Sequence, residues 1–280
     1  MLGRLCQTRP RLSSRATQLW VTDHLEIGGL AGMYGSLFAE VYDDCGQVIF
    51  SLKMIAYLEE LLARAQFSPS SAADLACGTG TLACAYAQKG WCAYGVDAAQ
   101  SMLVQARKKA GDMKLGVTFR EGQMQSFELP APVDLITCVG DSLNYLANTE
   151  DLRRMFALVA SHLHSGGMFV LDLLTGYGLA TLWGQRTHFQ DQDDFALGVT
   201  GCYDERTERL SVTFTGFLKR GRLYEKFTEC HELRTFSTQE MTEALSLAGL
   251  HLTGRYDGFS FISPNRESPR EIWIARKGAD

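Results

Sequence analysis

A glycine-rich turn with a carboxylate before it is the segment of the sequence best suited to ligand chemistry. The stretch DLACGTGTLA runs from Asp74 to Ala83 and leads through Gly78 and Gly80 into an alanine-rich run. This order predicts a strand, a tight turn and a helix, whose first backbone N–H groups are free to bind an anionic group. A second carboxylate, Asp97, ends the next apolar segment, CAYGVD, where it can accept two hydrogen bonds from a ribose diol. The pattern therefore predicts a nucleotide-like ligand.

Two classes of ligand fit such a turn. Gly78, Gly80 and Ala83 match the loose dinucleotide pattern G-x-G-x-x-G/A, although this match is weak by itself. A pyrophosphate in the turn would face the like charge of Asp74, which costs several kcal/mol when the pair is desolvated. S-adenosylmethionine carries an ammonium and a sulfonium instead, and a carboxylate suits both. The residues favour this donor, and an NAD(P)-dependent Rossmann-type oxidoreductase stays the alternative.

The elements that must position these residues alternate between strands and helices. Apolar periodicity predicts a helix over 48–65, strands at 72–77, 92–97, 116–122, 133–139 and 168–174, and helices at 80–90, 98–111 and 148–167. Nearly continuous apolar strands between helices indicate a parallel sheet covered on both faces. Because the carboxyl ends of parallel strands share one edge, the glycine turn, Asp97 and the segments 121–124 and 140–145 should meet there.

After Gly176 the apolar spacing changes to a period of two. The segments 195–204, 209–221 and 222–236 predict an antiparallel meander, inserted at about 185–236. Ser237 and Glu240 form a capping-box pattern at the start of a predicted helix that ends at Gly249. The segment 260–277 is predicted to form a closing hairpin.

Composition limits the classes of partner. The chain has 280 residues, with 27 Lys and Arg against 32 Asp and Glu and a formal net charge of -5. This balance disfavours nucleic acid, and the longest apolar runs are far short of the roughly 20 residues of a membrane span. Eight scattered cysteines favour free thiols in a reducing compartment, with no metal site. We expect a cytoplasmic protein that is a monomer or homodimer and binds neither nucleic acid nor membrane.

The first residues differ in composition from the rest. Residues 1–30 are predicted to be a disordered or mis-started extension, with one folded domain at 31–280. The first acid is Asp23, and the arginines before it, at positions 4, 9, 11 and 15, give an Arg-rich, acid-poor stretch that leaves an organellar transit peptide as the alternative.

Five motifs taken in order resemble one family. They are DLACGTGTLA, YGVDAAQSML, REGQMQSFELP, VDLITCVGDSLNYL and LHSGGMFVLDLLT. The set is similar to class I S-adenosylmethionine-dependent methyltransferases of the small-molecule type, including sugar-amine N-methyltransferases and glycine N-methyltransferase. The resemblance implies a doubly wound, mostly parallel seven-stranded Rossmann-like α/β sheet with an inserted antiparallel β meander. It also implies methyl transfer from S-adenosyl-L-methionine to a small-molecule acceptor, and the scarcity of bases favours nitrogen. A non-catalytic S-adenosylmethionine-binding relative is a further alternative.

The resemblance also implies which residues bind the donor. Gln123 stands where an acid usually recognises the adenine amino group, and its carbonyl can still accept a hydrogen bond. Asp97 has a second interpretation as the cap of the following helix. The full set implied for the donor is Asp74, Ala76, Gly78, Gly80, Asp97, Ala98, Met102, Gln123, Met124, Cys138 and Asp141.

Three residues are candidates for the reaction itself. Tyr42 resembles a family tyrosine that closes over the donor methyl, and otherwise is an interfacial tyrosine. Tyr145 follows the fourth strand and is implied to line the acceptor pocket. His231 shares a strand face with Glu229 and could accept a proton from the acceptor, although a lone histidine is more often structural.

Overall fold

The part of the chain that the structure describes contains eleven strands, seven α-helices, a 3-10 helix (Ser142–Tyr145) and a π-helix (Leu179–Trp183). The computed structural model describes residues 33–184 and 186–278. The strands are β1 (Ser71–Leu75), β2 (Cys92–Asp97), β3 (Val117–Glu121), β4 (Val133–Cys138), β5 (Leu163–Leu174), β6 (Thr187–Asp191), β7 (Phe195–Asp204), β8 (Arg209–Arg220), β9 (Leu223–Arg234), β10 (Leu250–Asp257) and β11 (Arg270–Lys277). The α-helices are α1 (Ser36–Val41), α2 (Val48–Arg64), α3 (Thr81–Gln88), α4 (Gln100–Asp112), α5 (Thr149–His162), α6 (Gly176–Gly178) and α7 (Thr238–Leu247).

The larger sheet has seven strands in the order β10-β11-β5-β4-β1-β2-β3. β1 lies between β2 and β4 and is parallel to both, whereas β11 is antiparallel to β5 and β10. The predicted fold class is therefore confirmed. The strand order reverses beside β1, and ligands of doubly wound sheets bind in the crevice at that point, outside the carboxyl ends of the strands.

Both faces of this sheet are buried, which explains its nearly continuous apolar strands. Along β5, Phe169 and Leu171 join the cluster that includes α5 and α7. Val170, between them, joins the opposite cluster with α2 and α3. Such a strand cannot slip by one residue without exchanging its two faces, so the positions of the strand ends are fixed.

The smaller sheet is antiparallel, in the order β6-β7-β8-β9. Its inner face packs on α1, and the Phe38 ring lies 4.8 Å from the Phe214 ring of β8. Leu174, the last residue of β5, belongs to the same buried cluster. The meander therefore lies against the edge of the large sheet at which β5 ends.

Several elements differ from the sequence prediction, and three of the differences concern strands. The predicted hairpin over 260–277 has the wrong bounds, because β11 pairs with β10, which lies before residue 260. Pro264 and Pro269 lie in the loop before β11, where proline need not donate to a ladder. β5 begins at Leu163 rather than at 168, since Leu163 pairs with Val133 before a register shift. β6 was not predicted because all five of its residues are exposed, which leaves no apolar alternation.

Residues 1–32 lie outside the described part, so the interpretation of residues 1–30 and the division of the chain there stay predictions. Within the described ranges, no helix is both long and apolar enough to cross a membrane. In that same part of the chain, no group of three or more His, Cys, Asp or Glu side chains could hold a metal ion.

Candidate active site

The two glycines of the glycine turn, Gly78 and Gly80, have different surroundings. Gly78 and Gly80 have φ values of 53° and 74°, in the left-handed region that favours glycine. A Cβ on Gly80 would lie 2.9 Å from Ala106 and from the Phe119 ring, whereas one on Gly78 would meet nothing within 4 Å. Gly80 is therefore required by packing behind the turn, while Gly78 faces open space.

The cleft in front of this turn has a volume of about 1270 Å³, counted to its open mouth. Ten of the predicted residues line it: Tyr42, Asp74, Ala76, Gly78, Asp97, Ala98, Met102, Gln123, Met124 and Tyr145. Four others do not line the cleft: Gly80, Cys138, Asp141 and His231. The sequence prediction also missed Tyr34, which lines the cleft and lies in the same segment as Tyr42.

Asp97 holds the glycine turn and the start of α4 together. Its Oδ2 accepts a hydrogen bond from the Gly78 N–H at 2.7 Å, and its Oδ1 accepts one from the Ala99 N–H at 2.8 Å. Burial raises the pKa of this carboxyl, and the backbone hydrogen bonds oppose the shift. A carboxylate has about four lone-pair sites, so two are left for a ligand. The helix-cap interpretation does not exclude this, because Ala99 precedes α4.

Asp74 is a buried acid with no basic side chain beside it among the described residues. Its side chain is 3% exposed, and its Oδ1 accepts the Thr137 hydroxyl hydrogen at 2.7 Å. Burial raises its pKa to about 7; the Thr137 bond opposes the shift and the charge of Asp97 adds to it. No basic side chain of the described residues contributes to that pKa. A cationic ligand group would supply the missing counter-charge.

Gln123 and Met124 form the wall beyond β3. The Gln123 Oε1 accepts a hydrogen bond from the Gln125 Nε2 at 2.9 Å, so its carbonyl is oriented at the rim of the cleft. The Met124 sulfur lies 3.5 Å from the sulfur of Cys138, which is fully buried behind it. Cys138 therefore supports this wall from the core.

A second cavity, of about 440 Å³, lies between the large sheet and the meander. It shares four lining residues with the cleft: Tyr34, Tyr42, Gly140 and Tyr145. The other aromatic side chains around it are Phe38, Trp183 and Phe214. The two cavities therefore adjoin at a junction lined by Tyr34, Tyr42, Gly140 and Tyr145.

Charged groups border the second cavity on the side of the large sheet. Asp141 lines it with a left-handed φ of 64°, and Arg270 forms ion pairs with Asp141 and the fully buried Asp172. Burial raises the pKa of Asp172 to about 6, although Arg270 opposes the shift. With both acids ionised, two carboxylates face one guanidinium and leave a net negative charge. No sequence signal connects Arg270 with either acid.

His231 is fully buried and is connected to the cavities by its hydrogen bond to Tyr145. Its Nδ1 lies 2.8 Å from the Tyr145 hydroxyl, and its Nε2 lies 3.0 Å from Glu229 Oε2. His231 and Glu229 thus share a strand face, as predicted. His231 lines neither cavity, so it does not contact a ligand there directly.

Comparisons with known proteins identify the chemistry of this cleft. The model of the methyltransferase domain family matches residues 72–167. The chain is 29% identical over 206 residues to the putative methyltransferase YqeM of Bacillus subtilis, which covers 73% of this chain and 83% of that protein. It is also similar to the solved structure of an S-adenosylmethionine-dependent methyltransferase from Clostridium acetobutylicum, with a TM-score of 0.76, 25% identity, and coverage of 86% and 98% of the two chains. The chain is an S-adenosylmethionine-dependent methyltransferase, with a methyltransferase domain at residues 72–167.

Two further relatives of this methyltransferase act on amino sugars by name. The chain is 28% identical over 185 residues to the dTDP-3-amino-3,4,6-trideoxy-alpha-D-glucopyranose N,N-dimethyltransferase of Streptomyces venezuelae, covering 65% of this chain and 76% of that protein. The sugar N-methyltransferase KedS8 of Streptoalloteichus shares the fold, with a TM-score of 0.67, 18% identity, and coverage of 91% and 100%. The prediction of a methyltransferase enzyme is confirmed, and the oxidoreductase alternative is discarded.

The cleft of the methyltransferase fits its donor on three observations. Gly78 leaves open space where a Cβ would stand, Asp74 has no protein cation beside it in the described residues, and Asp97 keeps unused lone pairs. When bound, S-adenosylmethionine supplies an electrophilic methyl group on a positively charged sulfur. The chain itself has to hold, orient and enclose the reacting groups.

The two glycines of the turn give a matched pair of variants. Gly80→Ala is expected to lower the free energy of unfolding by about 2 kcal/mol, because its Cβ would lie 2.9 Å from Ala106 and Phe119 at a positive φ. Gly78→Ala has a similar φ and open space, so it should lose less stability but weaken binding of S-adenosylhomocysteine. Urea unfolding and calorimetric titration measure the two effects, and equal loss of stability at both positions would contradict this assignment.

Proposed function

We propose that the enzyme methylates a nitrogen atom of a small-molecule amine held in the second cavity. The observation that carries this proposal is the composition of that cavity: aromatic rings surround it, and Asp141 with Asp172 outweighs the charge of Arg270 beside it. Aromatic faces and net negative charge both attract an alkylammonium group. The names of the amino-sugar relatives point to the same acceptor chemistry.

The donor is held by the residues that line the cleft. Asp97 accepts the ribose hydroxyl hydrogens, and Asp74 faces the ammonium group of the donor. The first N–H groups of α3, which follow the glycine turn, bind its carboxylate. Gln123 and Met124 contact the adenine, with the Gln123 carbonyl accepting from the amino group. These assignments agree with the placement of the four named residues on one cleft.

The junction of the two cavities is where methyl transfer takes place. Tyr42 and Tyr145 line both cavities, so a reacting nitrogen between them lies next to both ligands. Methyl transfer needs alignment and exclusion of water, which in favourable cases supply about 7 to 11 kcal/mol. The meander and α1 enclose the second cavity through Phe38 and Phe214, which provides that enclosure.

A substrate survey tests the acceptor class. Small primary and secondary amines, including amino sugars, are compared with matched alcohols and carboxylic acids, and S-adenosylhomocysteine release is measured. We expect release with amines at a rate above the acceptor-free background. Turnover with the alcohols or acids alone would refute the nitrogen assignment. Calorimetry with S-adenosylhomocysteine and NADH, run in parallel, checks that the protein is folded and binds its donor product.

Gln123→Glu is expected to tighten S-adenosylhomocysteine binding by about fivefold, because a charged acceptor makes a stronger hydrogen bond to the adenine amino group than an amide does. The matched control is Gln105→Glu, which adds the same charge on α4 at a position that does not line the cleft. Calorimetric titration compares both variants with the wild type. Equal effects of the two substitutions would assign the change to general electrostatics instead of adenine recognition.

A further inference from the structure

A continuous chain of hydrogen bonds runs from the meander to the junction of the two cavities. Glu229 Oε2 lies 3.0 Å from His231 Nε2, His231 Nδ1 lies 2.8 Å from the Tyr145 hydroxyl, and this hydroxyl lies 2.8 Å from that of Tyr34. Tyr34 and Tyr145 line both cavities, whereas His231 is fully buried. The Tyr34 oxygen is therefore the end of the chain that lies at the junction.

Glu229 fixes the direction in which every hydrogen of this chain points. Its two oxygens accept the backbone N–H groups of Tyr34 at 2.7 Å and Gly35 at 2.8 Å. A carboxylate can only accept, so His231 donates from Nε2. In the neutral imidazole with that tautomer, Nδ1 carries no hydrogen and accepts from Tyr145. Tyr145 then has no hydrogen left for Tyr34, and Tyr34 donates its own to Tyr145. The Tyr34 oxygen consequently presents only lone pairs to a ligand.

We propose that this chain makes Tyr34 an obligate hydrogen-bond acceptor that selects methyl acceptors carrying an N–H group. A neutral primary or secondary amine can donate one N–H to Tyr34 and keep its lone pair for the methyl group. A neutral tertiary amine has no N–H to give. The inference rests on the nitrogen acceptor proposed above and narrows it to primary and secondary amines, so that methylation ends at the tertiary amine. Tyr34 touches the substrate, and Tyr145, His231 and Glu229 are positioning residues.

The surroundings of the chain agree with this polarity. Four aromatic rings lie against the His231 imidazole: Tyr34 just before α1, Phe38 in α1, Tyr145 after β4, and Phe214 in β8. Glu229 is the charged group that contacts the His231 imidazole. The charges of Asp97 and Asp141 raise the pKa of Tyr34. Burial raises the pKa of both tyrosines, which keeps each of them a phenol with one hydrogen to donate.

The tautomer of His231 tests this chain of hydrogen bonds without a methyl acceptor present. Nitrogen-15 NMR is recorded on the full chain with labelled histidine and saturating S-adenosylhomocysteine at pH 8, with the His231 signals assigned by their loss in His231→Asn. We expect a protonated Nε2 and a bare Nδ1. Glu229→Gln can donate its amide hydrogen to Nε2, so we expect the proton to move to Nδ1. A wild-type ring with Nδ1 protonated, alone or together with Nε2, would overturn the inference.

Selection for the N–H group is tested with two cations of similar size. Trimethylammonium chloride carries one N–H and tetramethylammonium chloride none, and both are titrated into the complex with S-adenosylhomocysteine. We expect the wild type to prefer trimethylammonium by about tenfold, from one charge-assisted hydrogen bond. Tyr34→Phe removes the hydroxyl oxygen that accepts the N–H and should remove the preference. Equal affinity of the wild type for both cations would overturn the selection. If neither cation binds, the proposed binding of an amine in the second cavity is refuted, whatever the tautomer of His231.

Discussion

Asp97→Ala is expected to reduce the affinity for S-adenosylhomocysteine by at least about 100-fold, because two hydrogen bonds to a charged acceptor are lost, each contributing about 1.5 to 3 kcal/mol. The substitution also releases the N–H groups of Gly78 and Ala99, so the turn that receives the donor is no longer held against α4. Isothermal titration calorimetry measures the affinity directly.

Asp134→Ala is the matched control for this prediction. Asp134 is also a strand carboxylate that accepts backbone N–H groups, from Ser70 and Ser71, but it lies near the beginning of β4 and away from the cleft. This variant should lose stability while its affinity for S-adenosylhomocysteine stays within about twofold of the wild type, since surface substitutions distant from a ligand couple weakly to it. Equal losses of affinity in the two variants would show that Asp97 acts only through folding.

Asp74→Asn is expected to stabilise the ligand-free protein at alkaline pH while weakening donor binding. The pKa of Asp74 is raised from 3.8 to about 7 on folding, so the folded protein retains a proton that the unfolded chain has lost. The stabilising contribution of this acid is complete below pH 3.8 and is lost as the pH rises through 7. Between pH 6 and 8 the asparagine variant should therefore gain about 1.4 kcal/mol in unfolding free energy relative to the wild type.

The same substitution should change how ligand affinity depends on pH. The ammonium group of S-adenosylhomocysteine favours the ionised Asp74, so wild-type affinity should increase as the pH rises from 6 to 8, by at most about tenfold. The affinity of Asp74→Asn should be lower and nearly independent of pH in that range. Urea unfolding and calorimetry at the two pH values measure both effects, and comparison of the two proteins cancels the shared contributions of Asp97 and Asp172. Parallel pH profiles in the two proteins would refute the proposed role of Asp74.

The sequence predicted the large sheet and the cleft because both depend on local patterns. Strands buried on two faces give continuous apolar runs, and β2 was predicted with the observed bounds, Cys92–Asp97. Residues placed just after those strands meet at one edge whatever the loops do. Asp74, Asp97 and Met124 therefore lie on one cleft as expected.

The contacts of the second cavity could not be predicted because they join distant segments. Tyr34 contacts Tyr145 across 111 residues, and Arg270 contacts Asp172 across 98. Such pairs depend on how the meander and the last strand dock on the large sheet, which no local pattern encodes. His231 shows the same limit: its partner Glu229 was on the expected face, but the tyrosine between it and the cavities was not foreseen.

The placement of the donor sulfur relative to the two cavities tests the central claim most directly. A crystal structure of the full chain with S-adenosylhomocysteine bound gives that position. We expect the nucleoside on Asp97 and the sulfur at the junction lined by Tyr34, Tyr42, Gly140 and Tyr145, facing the second cavity. A sulfur directed to bulk solvent, with the second cavity closed off from it, would refute transfer of the methyl group at this junction.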